Sequence, residues 1–77
     1  MKNAENKAKE LLKSYISRAE VLDDMPAVID FLLSIFDAED LLEASPRMPE
    51  YLREYLDAYE GNLTEETENQ VRGALGA

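Results

Sequence analysis

Carboxylates are the only abundant reactive groups in this chain. Its 77 residues carry 17 Asp and Glu against 8 Lys and Arg, with neither His nor Cys. A carboxylate pair can run acid–base or glycosidase-type chemistry where a pocket drives the two pKa values apart. Here the acids fall at the ends and outer faces of expected helices, and nothing marks such a pocket. The densest group is Asp37, Glu39, Asp40 and Glu43. It fails as a calcium loop, because Leu41 stands at the fifth position, Leu42 replaces the turn glycine, and Pro49 lies within reach of its end. A di-metal carboxylate bundle needs Glu-x-x-His. The lack of His and Cys removes zinc sites, disulfides, thiol nucleophiles and imidazole catalysis together. Gly61, Gly73 and Gly76 form no phosphate-cradling loop, since none precedes a Lys. The expectation is a chain that is not an enzyme and takes no cofactor and no metal.

Two patterns suit contact with another protein instead. Tyr51, Tyr55 and Tyr59 recur at i, i+4 and i+8, interleaved with Glu50, Glu54 and Asp57. Tyrosine offers large apolar area with a polar tip, and rings beside carboxylates attract Arg or Lys. The same rings would equally line the edge of a core. The second pattern is the run from Met25 to Phe36, in which only Pro26, Asp30 and Ser34 are not strongly apolar. A helix there wants cover on nearly every side, and a chain this short has little to cover it with. Phe31 and Ile35 are therefore candidates for a face that meets a second copy or another protein's helix.

The elements that position these residues read as helices. Ala4, Ala8, Leu11/Leu12, Tyr15/Ile16, Ala19 and Leu22 step by three and four, an amphipathic helix over about residues 3–22, with Glu5 and Lys9 as an i,i+4 pair. Asp23-Asp24 ends it and offers a cap to the next, with Pro26 tolerated in the first turn. The apolar run makes a buried second helix, with Asp30, Ser34 and Asp37 as its polar stripe and a break possible near 37–38. Pro46 and Pro49 stop that segment and start a third helix through the tyrosines, ended by Gly61-Asn62. A last short helix begins after Thr64, with little apolar content beyond Val71, Ala74 and Leu75. The fold class expected is all-α: one domain, residues 1–77, a compact bundle of four or five short helices with a radius of gyration of about 11–12 Å.

Length, acidity and helix count together resemble an acyl carrier protein. That family carries its prosthetic group on the Ser of an Asp-Ser-Leu motif. Ser14 follows Lys, Ser17 follows Ile, Ser34 follows Leu and Ser45 precedes Pro, so the motif is missing and the reading is rejected.

Charge narrows the partners. Residues 1–18 hold five basic groups against two acids, whereas residues 19–77 hold three arginines against fifteen acids. A field of that sign repels phosphates and anionic membranes and attracts basic partners. Direct nucleic-acid binding and membrane attachment are not expected. No apolar run approaches the ~18 residues of a membrane span and no leader is evident, so the expected location is the cytoplasm. The leading reading is a small acidic protein-binding module: an adaptor, inhibitor or regulator that occupies a partner's surface. An acidic mimic of nucleic acid that blocks a basic groove is the alternative, and a structural subunit of a helical homo-oligomer, possible as a dimer, is another.

Overall fold

In the computed structural model the backbone is described for residues 2–76 and the side chains for residues 7–76. The expected Glu5–Lys9 pair has one member outside the described side chains. Five helices follow one another: α1 (Lys2–Leu22), α2 (Met25–Leu33), α3 (Ala38–Ala44), α4 (Met48–Ala58) and α5 (Glu65–Ala74). The chain is an all-helical bundle with a radius of gyration of 12.1 Å.

α1 ends at Asp23, whose φ of 57° is left-handed and whose N–H donates to Ala19 O at 2.8 Å. Asp is among the few side chains that tolerate this conformation. Asp24 then stands at the N-cap of α2, but its side chain makes no capping hydrogen bond; Pro26 in the first turn supplies the preset φ instead. The resulting turn is so tight that α2 runs back along α1, and Tyr15 meets Phe31 edge to face at 5.9 Å.

The second helix breaks where the sequence left the point open, slightly earlier than 37–38. Ser34 Oγ donates to Phe31 O at 2.6 Å, and Ile35 and Phe36 N–H both reach back to Leu32 O. A serine hydroxyl that takes a helical carbonyl competes with continuation of the helix. Asp37 then caps α3, its own N–H donating to the Asp40 carboxylate at 3.2 Å. The polar stripe Asp30, Ser34, Asp37 is therefore not continuous along one helix. Pro49 lies in the first turn of α4, Gly61 is left-handed at φ 83°, and Thr64 caps α5 by accepting from Thr67 N–H at 3.2 Å.

The core joins Leu12, Ile16 and Ala19 of α1, Met25, Ile29 and Leu32 of α2, Ala38 and Leu41 of α3, Met48, Tyr51, Leu52 and Tyr55 of α4, and Val71 of α5. α2 packs mainly on α4 and α1. α5 is anchored by Val71 and by Gln70 Oε1, which accepts from Ala38 N–H at 2.8 Å and so satisfies the start of α3. Among the described residues, no helix is long and apolar enough to cross a membrane.

Candidate functional site

The tyrosine row lies inside the molecule. Tyr51 is 7% exposed and Tyr55 fully buried. Each hydroxyl ends on a carboxylate of a neighbouring helix: Tyr51 donates to Glu20 of α1, and Tyr55 to Asp30 Oδ1 of α2 at 2.9 Å. The Tyr51 phenol is raised above its usual range chiefly by that hydrogen bond to Glu20, and burial followed by the Asp30 bond raises Tyr55 further. Tyr59 is half-buried with its ring 4.9 Å from that of Tyr55. Tyr51 and Tyr55, packed in the core, offer a partner little area, while Tyr59 keeps part of its ring exposed. The companion acids are superficial and share one outer stripe of α4. Glu50 pairs with Arg47 at 3.3 Å, while Arg47 also covers the Tyr51 ring at 5.4 Å; Glu54 and Asp57 are exposed.

Phe31 and Ile35 occupy the opposite situation. They are 50% and 60% exposed. Phe31 touches Tyr15 of α1, which is 43% exposed. Exposed Ile35 follows Phe31 just past the end of α2, and Leu11 lies one helical turn before Tyr15 and extends that side of the face away from the turn. Leu22, at 62% exposed, extends it towards the turn. The face is thus built from two apolar shoulders side by side, one on each helix.

This α1 shoulder escaped the sequence reading, which took the doublets Leu11/Leu12 and Tyr15/Ile16 as one core stripe. The structure divides them: Leu12 and Ile16 point inward at 2% exposure, while Leu11 and Tyr15 look outward. A stripe two residues wide was the available signal, because one packed face needs only one member of each doublet.

The remaining concavities are open clefts. The one between α1 and α3 measures about 510 Å³ and sets Lys9 and Lys13 opposite Asp40 and Glu43 over a floor of Leu12 and Phe36. Lys9 Nζ lies 3.8 Å from Glu43 there, an exposed pair of little energetic weight. Among the described residues no polar or charged side chain is buried, and no three potential ligands converge on a metal position. No family model, curated protein or solved structure matches this chain.

Proposed function

We propose that this chain is a small, acidic, non-catalytic protein-binding module that docks through the α1–α2 face. The observation that carries the reading is the exposed Tyr15–Phe31 contact between α1 and α2, with exposed Leu11 and Leu22 on the same stripe of α1 and exposed Ile35 just past α2. Single exposed apolar residues are ordinary, but a continuous patch in a helical hairpin is the form that helix-accepting surfaces take.

The test is affinity capture with the wild-type chain and with Phe31→Asp as parallel baits, a second, untagged copy of the chain being one possible prey. Proteins held by the first bait and lost by the second, and still bound when purified, support docking by this face. Glu66→Gln on α5 should change nothing. Identical prey on both baits would sink the reading.

A second reading is favoured by the α3–α5 side, where Asp37, Glu39 and Glu66 line a shallow cleft without a basic residue. Such a surface could copy phosphates and occupy a basic groove. Complexes of that kind weaken steeply as salt rises, so a partner whose affinity is indifferent to salt would exclude it.

A further inference from the structure

The α1–α2 face carries basic groups along its α1 side and acidic groups at the α1–α2 turn, and this discriminates among occupants. On α1, Lys7 and Arg18 stand in line with Leu11, Tyr15 and Leu22 at helical spacing. Arg18 is exposed and takes part in none of the ion pairs formed among the described residues. At the start of α2, exposed Asp24 stands at the N-cap, seven residues before Phe31, with exposed Asp23 beside it in the turn. A partner helix of one charge sign would match one rim and oppose the other. A second copy of the chain can match both. If it is turned about a two-fold axis running between α1 and α2 along their length, each α1 lies over the other copy's α2. Arg18 of each copy then comes to the turn end of the other copy's α2, where Asp24 stands, twice.

Area agrees with this occupant. Leu11, Tyr15, Leu22, Phe31 and Ile35 are 43–62% exposed, which leaves on the order of 500 Å² of apolar surface open. A stable pair takes about 800 Å² from each partner, with an apolar centre and a polar rim. The five side chains provide the centre, and the charged rims provide the remainder. A two-fold pair needs only one self-complementary patch and closes on itself.

We propose that the α1–α2 face is covered by a second copy of this chain, in a two-fold dimer that sets Arg18 of each protomer opposite Asp24 of the other. The proposal rests on the docking reading above and names its occupant.

Sedimentation equilibrium of the full chain, from micromolar to near-millimolar concentration, tests it, with far-UV circular dichroism as the check on folding. The expected species approaches twice the 8.7 kDa chain mass. Ile35→Asp should raise the dimer Kd by about tenfold or more at unchanged helicity, and Phe31→Asp serves where Ile35→Asp fails to fold. Arg18→Glu should weaken the dimer by roughly threefold, and combining it with Asp24→Arg should restore it. Asp24 makes no capping bond, so its replacement leaves α2 intact. A dimer indifferent to both aspartate substitutions overturns the face, and one indifferent to the charge swap overturns the two-fold arrangement. A monomer at every concentration overturns the proposal altogether. Anilinonaphthalene sulfonate fluorescence then separates the two readings: dye bound by the monomer and lost in Ile35→Asp keeps a docking face with another occupant, whereas no dye binding counts against both.

Discussion

Tyr55 shows how the bundle uses its acids. Its ring is fully buried at the centre of α4, and its hydroxyl reaches the exposed carboxylate of Asp30 on α2 at 2.9 Å. The ring holds the two helices together by packing, and the hydroxyl fixes their register. Tyr55→Phe keeps the first contribution and removes the second, so it should cost about 1 kcal/mol, read as a lower urea midpoint with an unchanged slope. No change in midpoint would mean that water serves Asp30 and the hydroxyl equally well. The same group sets an alkaline limit. Burial and the Asp30 bond raise the Tyr55 phenol above its ordinary value of 10.0, so the folded chain favours the neutral phenol. The stability from this preference is complete below about pH 10 and is lost as pH rises from there through the folded value. The urea midpoint of the wild type should decline above pH 10, and less steeply in Tyr55→Phe; equal declines would discard the cause. The sequence displayed the row Tyr51, Tyr55, Tyr59 clearly, but not its direction. That was decided by Glu20 and Asp30, 31 and 25 residues away along the chain, and local spacing carries no record of such partners.

Among the helices, α5 shows where propensity and tertiary anchoring divide the work. It has a good cap at Thr64 and acids in its first turn, yet only Val71 is fully buried. Gly73 lies inside it with a helical backbone, and nothing stands within 4 Å of the position a Cβ would take. Gly73→Ala should therefore stabilise the chain by about 0.5–1 kcal/mol, raising Tm by about 2–8 °C in a domain of this size. A calorimetric scan showing no rise would mean that the end of α5 is frayed in the native state and has nothing to gain. Capping and punctuation made helix existence legible: Thr64, Pro49, Pro26 and Gly61 all act where their chemistry says they should. The end of α2 was less legible, because Ser34 and Asp37 fit a continuing polar stripe as well as a stop. The Ser34 hydroxyl on Phe31 O decides it. The outward shoulder of α1 was present in the sequence as paired apolar positions, and the excess of apolar residues on α2 was evident too. What periodicity could not supply was that the two shoulders adjoin, which depends on the turn at Asp23 and Asp24.

For the whole molecule, net charge and the uncovered face act against each other. Two chains of net charge −9, treated as point charges ~20 Å apart in water, repel by on the order of 15 kcal/mol unscreened and by about 2 kcal/mol at 0.1 M salt. The two Arg18–Asp24 contacts of the proposed dimer lie at its rim, where each is worth at most ~1 kcal/mol, and salt weakens them too. Repulsion between the chains is the larger salt-sensitive quantity, while the apolar centre is nearly indifferent to dilute salt. Self-association should thus strengthen as salt rises: the dimer Kd, followed by sedimentation, should fall by well over tenfold between ~20 and ~200 mM NaCl. A nucleic-acid mimic has the opposite dependence, since its complex with a basic groove is held by the attraction that salt removes. Sign alone therefore separates the two uses of the same acidity. A Kd that rises with salt would show that the charged rims, and not the Tyr15–Phe31 centre, hold the two copies together.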